Sequence, residues 1–289
     1  PSLNVNQNST PRSSLGRVLH SNDFFQDNAM RATEVSLSGT YHNDTGHIIL
    51  MQSACGVDLA ATVADVIIPT ASTTVSGKYG VTEGDKTFTL VLAPPDTTDG
   101  YNIIMSGCLC TNFSISAEAG SDGGLYKWSA TISSGQKPIT NNTATEAGTV
   151  YSVAPYSINT LTGATTVNSI ASTVLSGFSV TIDSPAVYTG FMATGYAAFA
   201  RAPELSVTAT AKIKYDTLTR PILNNFNTQT AHDAAGMFTM TQATATHCSI
   251  AIGAGVLTNV ALSEGDIMML DVEIKAVNVG NDVISFDLA

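Results

Sequence analysis

The chain has 289 residues, 44% hydrophobic and only 12% charged, with 23 acids against 12 lysines and arginines and a formal net charge of −11. Such an acidic chain is a poor ligand for nucleic-acid phosphates, which are gripped by Lys and Arg side chains that displace counterions. No stretch approaches the ~18–20 uninterrupted apolar residues of a membrane-spanning helix.

Residues 1–13 are polar, contain Pro11 and show no periodicity, which reads as an arm. The opening stretch PSLNVNQNSTPRSSLGRVL lacks the basic-then-apolar order of a signal peptide, so export by the general route is not expected. A short strand and turn follow over 15–25. Over 31–41, Val35, Leu37 and Gly39 alternate with Ser36, Ser38 and Thr40, the period of a half-buried strand. Asp44 or Thr45 then caps a helix of two or three turns that Gly56 stops. Residues 65–81 read as a strand and loop, and 86–93 (KTFTLVLA) as a strand. Strands over 101–110 and 110–119 lead to the turn SDGG and a return strand over 125–132; Asp-Gly between alternating runs is a hairpin signal.

Residues 134–170, rich in Ser, Thr, Asn and Gly, read as an inter-domain connection with an extended segment around 151–158. Strands are expected again over 178–182 and 205–215. A second helix follows Asp216-Thr217 with Pro221 in its first turn, where proline costs least. Further strands fall over 238–240, 248–252, 257–262 and 267–276. The fold class is therefore mainly β: two tandem β-sandwich or small-barrel modules, each with one short α-helix. The boundaries are arm 1–13, first module 14–137, linker 138–175 and second module 176–289.

Internal likeness supports the duplication. RATEVSLSGT at 31–40 and RAPELSVTAT at 201–210 share five identities in ten aligned positions. A second echo joins Thr111-Asn112-Phe113 to Thr258-Asn259-Val260, each opening an alternating run that turns and returns.

Catalytic, cofactor-binding and metal-binding residues are expected to be absent. Asp271 and Glu273 lie two apart on one strand face and read as a solvated or lumen-facing strip, not a glycosidase pair. The five histidines have no metal-binding spacing, and neither a GxSxG elbow nor a phosphate-binding loop occurs. Cys55, Cys108, Cys110 and Cys248 form no disulfide framework and read as buried, reduced thiols. Trp128 and Tyr126, on one face of the return strand, read as core or inter-subunit anchors, with a sugar-stacking platform as the alternative.

The segment GCLCTNFSISAEAGSDGGLYKWSATISSGQKP, 107–138, resembles the signature region of tail tube proteins of long-tailed (siphovirus-type) bacteriophages, and ATEVSLSGTYHNDTGHIILMQSACG, 32–56, resembles that family's strand and short helix. The resemblance covers most of 14–135 and again 176–276, as in tube proteins whose chain holds two tube modules. It implies a structural virion protein and no enzyme: rings whose strands close a β-barrel around a channel for genome delivery, stacked into a tail. The implied partners are the chain itself, as a ring of three two-module chains or alternatively six chains, with rings stacked axially, and tail terminator, tape measure and distal tail proteins. DNA would pass without specific binding, and assembly would take place in the host cytoplasm.

On that reading the lumen-facing residues are Ser114, Ser116, Glu118, Lys127, Ser129 and Thr131 of the first hairpin and Asp271, Glu273 and Lys275 of the second. The loops 72–78 and 96–100 and the arm 1–13 would contact neighbouring rings. Rival readings are a capsid or decoration protein of a virion, or a carbohydrate-binding β-sandwich adhesin using Trp128 or Tyr126.

Overall fold

Alternating apolar and polar residues dominate this chain, and in the computed structural model they form strands. The structure describes residues 2–11, 24–42, 45–56, 65–68, 87–92, 102–136, 138–141, 155–161, 165–172, 174–191, 197–201, 205–228, 237–240, 248–263, 267–277 and 283–287. The first elements are β1 (Ser2–Pro11), β2 (Phe24–Thr40), α1 (Thr45–Cys55), β3 (Asp65–Ile68), β4 (Phe88–Leu92), β5 (Asn102–Glu118), β6 (Lys127–Ser134) and β7 (Ile139–Asn141). Next come β8 (Thr165–Val167), β9 (Ile170–Ser172), β10 (Leu175–Asp183), β11 (Ala186–Phe191), β12 (Ala197–Arg201) and β13 (Ser206–Lys214). The last are α2 (Arg220–Asn227), β14 (Phe238–Met240), β15 (Ser249–Ile252), β16 (Gly255–Ser263), β17 (Met269–Ala276) and β18 (Ile284–Asp287).

A 10-stranded antiparallel sheet follows the path β1-β2-β6-β5-β10-β13-β17-β16, with β4 and β7 also paired to β5. A 6-stranded sheet runs β3-β18-β15-β14-β8-β9, and β11 pairs with β12. The long path gives one strand order twice, β1-β2-β6-β5 and then β10-β13-β17-β16. In each set the second strand leads to a helix and the last two form a hairpin.

Local irregularities repeat as well. β5 bulges between Cys110 and Asn112, and β16 between Leu257 and Asn259, leaving Thr111 and Thr258 as the extra residues. Thr111 Oγ1 donates to the Thr131 carbonyl at 3.2 Å, and Thr258 Oγ1 donates to the Glu273 carbonyl at 3.3 Å. The Tyr41 amide donates to the Tyr126 carbonyl, and the Tyr215 amide likewise to the Met268 carbonyl. The Thr-Asn echo therefore lies in structural register. The longer likeness of 31–40 to 201–210 does not: the ladders set Ser36 opposite Thr131 and Thr210 opposite Glu273, making Ser36 and Thr210 equivalent. That is four residues from the sequence alignment. An even shift keeps every side chain on its face, so the strings match in face pattern and differ in position along the ladder.

The apolar face of the long sheet carries Val35, Phe113, Ile115, Ile132, Val180, Ile182, Val272 and Ile274, all buried. They join Phe238, Ile250, Ile252 and Phe286 of the 6-stranded sheet in one core cluster. α1 is buried along most of its length, His47, Gln52 and Ser53 included. Its Ser53 hydroxyl accepts the Cys110 amide at 3.0 Å, which satisfies a backbone donor next to the β5 bulge. Gly56, at φ 68°, closes α1 in the left-handed conformation that favours glycine. α2 is amphipathic and buries Ile222. Asp216 accepts from the amides of Leu218 and Thr219 at 2.9 and 3.1 Å, so it builds the turn before α2, while Thr219 holds the N-cap position and Pro221 lies in the first turn.

The structure departs from the sequence expectation in several elements. Residues 1–13, read as an arm, contain β1, which adds to the edge of β2; two apolar residues, Leu3 and Val5, among Asn and Ser are too sparse to reveal a strand whose support is a ladder. The two strands expected over 101–110 and 110–119 are a single strand, β5 (Asn102–Glu118), interrupted by Gly107 at φ 64° and by the bulge. The stretch 138–175 contributes β7, β8 and β9, and its Tyr156 carbonyl accepts the Tyr126 amide. The two sets of strands share one sheet, and β3 pairs with β18 across nearly the whole sequence. Asp44, most of the strand expected over 15–25, and the loops 72–78 and 96–100 lie outside the described residues.

Candidate functional site

With one face of the long sheet committed to the core, period two sends every alternate residue to the other face. The nine residues singled out in the two hairpins all fall there. Register places them in rows that cross the sheet. One row runs Ser38, Ser129, Ser114, Thr181, Thr208, Lys275. The next runs Thr40, Lys127, Ser116, Ser179, Thr210, Glu273, Asn259. Thr131 lies in a third row with Ser36, Asn112 and Asp183. Glu118 and Asp271 mark a fourth, which Gly177 and Lys212 join.

Sequence reading placed only the hairpin residues on this face. Ser179 and Thr181 of β10 and Thr208, Thr210 and Lys212 of β13 belong to it equally. The signal was present in the same alternation, since SVTATAKIK reads like a hairpin strand; what it lacked was the knowledge that β10 joins β5.

Chemically the face is hydroxyl-rich and close to charge balance. Among the described residues its carboxylates are Glu34, Glu118, Asp183, Asp271 and Glu273, and its lysines are Lys127, Lys212, Lys214 and Lys275. Two of the lysines stand near acids. Lys127 Nζ lies 3.3 Å from an Asp122 carboxylate oxygen, and Lys212 is directly opposite Asp271 in the ladder. Ser114 and Ser129 hydroxyls bond to each other at 2.8 Å. Most of the surplus negative charge therefore lies off the described part of this face, which presents hydroxyls with acids and lysines interspersed.

The apolar side holds the aromatic residues. Tyr126 is fully buried, edge-on to Phe178 with ring centroids 5.1 Å apart. Trp128 meets His47 edge-on at 4.7 Å and Phe113 at 6.4 Å, with Gly39 directly across the ladder leaving room for the indole. Tyr126 is a core anchor; Trp128 is half-buried and packs against the same core. The four cysteines are buried and none is in a disulfide. Burial pushes the Cys108 thiol up to about 11 and the Cys248 thiol up to about 12. Among the described residues no group of three or more His, Cys, Asp or Glu side chains could hold a metal ion, and no helix is long and apolar enough to cross a membrane.

The twice-repeated strand order with a helix in each repeat is compatible with two modules in one chain. The profile of the family described as phage tail tube protein matches residues 11–276. The chain belongs to the phage tail tube protein family. No curated protein matches it at a significant level. A tail tube protein is a structural component of the virion and not an enzyme.

Proposed function

We propose that this tail tube protein polymerises as stacked rings into the tube of a long-tailed phage, with the polar face of the long sheet lining the channel through which the genome is delivered. The observation that carries the proposal is the continuous eight-strand path, one face apolar and buried, the other hydroxyl-rich. Each four-strand set with its helix is one tube module, so three chains supply six modules. Three chains would bring about 24 strands; at ~4.8 Å spacing and ~40° tilt the backbone circle is roughly 48 Å across. Subtracting a side-chain layer of ~5 Å on each side leaves a channel of roughly 38 Å, wide enough for duplex DNA.

The chemistry of the face suits transport without capture. Each unpaired Lys or Arg contact to phosphate would act as a brake; here Lys127 is held by Asp122 and Lys212 faces Asp271. Hydroxyls keep a water layer against the passing duplex. Tail terminator, tape measure and distal tail proteins would meet the two ends of the stack and its channel.

Electron cryomicroscopy of assembled tubes tests the reading. Three chains per ring with Ser114, Thr181 and Thr208 on the channel wall is the expected result; six chains would refute the stoichiometry, and those residues on the outer wall would refute the lumen assignment. Tubes of a Ser114→Lys, Thr181→Lys variant should retain DNA at low salt and release it steeply as salt rises.

A further inference from the structure

We infer that the seam between neighbouring chains is an antiparallel pairing of β16 with β1 of a second copy, in the register that β5 and β10 already use inside one chain; the inference rests on the ring reading above. The long path ends at β1 and β16. In the repeated order, β16 is the counterpart of β5, and β1 is the counterpart of β10. The internal junction of the two sets is the β5–β10 ladder, so the external one has a template in the same molecule.

The register follows without adjustment. The bulges make Asn112 equivalent to Asn259. Ser2 is equivalent to Ser179, because they stand opposite Ser36 and Thr210, themselves equivalent. Inside the chain Ser116 faces Ser179, Ile115 faces Val180 and Ser114 faces Thr181. Transferred to the seam, Ser263 faces Ser2, Leu262 faces Leu3 and Ala261 faces Asn4 of the second copy.

Burial at these positions identifies what is missing. Ile115 and Val180 are 1% and 2% exposed, whereas their counterparts Leu262 and Leu3 are 45% and 39% exposed. The transferred register sets the two exposed leucines opposite each other. Within the stretches that would pair, neither SLNVN at 2–6 nor NVALS at 259–263 carries a charge or a proline, two of the devices by which sheet edges avoid pairing; Pro11 and the irregularity between Asn6 and Asn8 lie at the far end of β1. Strand direction is consistent, since eight antiparallel strands return the next β1 antiparallel to β16. The family match begins at residue 11, so the pairing part of β1 is a feature of this chain outside the matched stretch.

Paired cysteines test the register. Opposed Cα atoms in an antiparallel ladder are ~4.5–5.5 Å apart, within the ~4.4–6.8 Å span of a disulfide, and the four native thiols are buried. Tubes of an Asn4→Cys, Ala261→Cys variant should link chain to chain under mild oxidation, with a closed three-chain species on non-reducing gels. A Ser2→Cys, Ala261→Cys variant, two positions out of register, should not link. Absence of the first link in well-formed tubes, equal linking by both variants, or linkage to a different protein would overturn the seam while leaving the tube reading intact. A six-chain covalent ring would support the seam and overturn the three-chain ring, and failure of the unmodified chain to form tubes at all would overturn the ring reading itself. Independently, Leu262→Lys should give folded monomers by circular dichroism and size-exclusion chromatography; tubes from that variant would overturn the seam.

Discussion

Truncating Ile115 and Leu262 to alanine makes the same chemical change at two equivalent ladder positions, and the structure requires different costs. Each substitution deletes about three carbons, worth ~2.4 kcal/mol of transfer free energy if fully buried, at ~0.8 kcal/mol per methylene. Ile115 is 1% exposed and faces Val180 at the internal junction. Its removal also leaves a cavity, so Ile115→Ala should cost about 3–4 kcal/mol, within the ~2–5 kcal/mol range of buried aliphatic truncations. Leu262 is 45% exposed at an open edge; it loses roughly half the transfer term with no enclosed cavity, so Leu262→Ala should cost about 1 kcal/mol. Urea unfolding at concentrations where sedimentation shows monomer would measure both. In assembly the order should reverse: on the proposed seam the exposed part of Leu262 is covered by the second copy, so Leu262→Ala should raise the concentration needed for tubes. Equal costs in the monomer, or a cost below ~1 kcal/mol for Ile115→Ala, would refute the equivalence of the two positions.

Gly255→Ala should destabilise the second hairpin by about 1–3 kcal/mol, the range for overpacking, because an added Cβ would stand 2.9 Å from Met237 Cγ and 3.0 Å from the Lys275 carbonyl, a backbone atom that cannot step aside; a neutral result by thermal unfolding would contradict the packing. Native protein should react with a thiol reagent at pH 8 only as fast as it opens, since all four thiols are buried. The raised thiols of Cys108 and Cys248 favour the fold fully below the ordinary value of 9.0, and that contribution is lost as pH climbs toward about 11 and about 12; unfolding midpoints from pH 8 to 11 should therefore fall, and fall less in a Cys248→Ser variant. Asp216→Ala should lower the unfolding temperature near pH 7 by freeing the Leu218 and Thr219 amides. The Asp216 carboxyl is held below its ordinary 3.8, chiefly by those amides. Its contribution is present above that value and lost as pH falls through the folded one, so wild type and variant should converge in acid.

Strands with regular alternation were legible because face and period are properties of local sequence: 205–215, 257–262 and 267–276 match β13, β16 and β17 closely. The polar face was legible at the two hairpins for the same reason, with Ser114, Ser116 and Glu118 alternating against Phe113, Ile115 and Ala117. Pairing partners were not. That β10 lies beside β5, and therefore that Ser179 and Thr181 extend the face, depends on a ladder running from Gly177 opposite Glu118 to Asp183 opposite Asn112, pairs far apart in the chain. The repeat misled in one respect. Identical letters at 31–40 and 201–210 drew attention to equivalent strands but not to equivalent rungs, whereas the brief Thr-Asn echo marked the bulges themselves. A bulge fixes a rung because it changes backbone geometry; alternation alone is indifferent to any even slip. β1 stayed hidden because its sequence carries too little apolar signal to announce a strand that a neighbour supports.

The β5–β10 ladder also bears on how rings nucleate. Two modules joined in one chain meet at an effective concentration set by their connection, independent of how much protein is in solution. In a ring of three such chains, half of the lateral seams form this way and only the remaining three require encounters between molecules. The nucleus then depends on about the third power of chain concentration where six separate modules would depend on about the sixth. In the proposed ring the two kinds of seam would face different selection: the tethered one could be weak and still close, while the β16–β1 seam would set the concentration at which rings close.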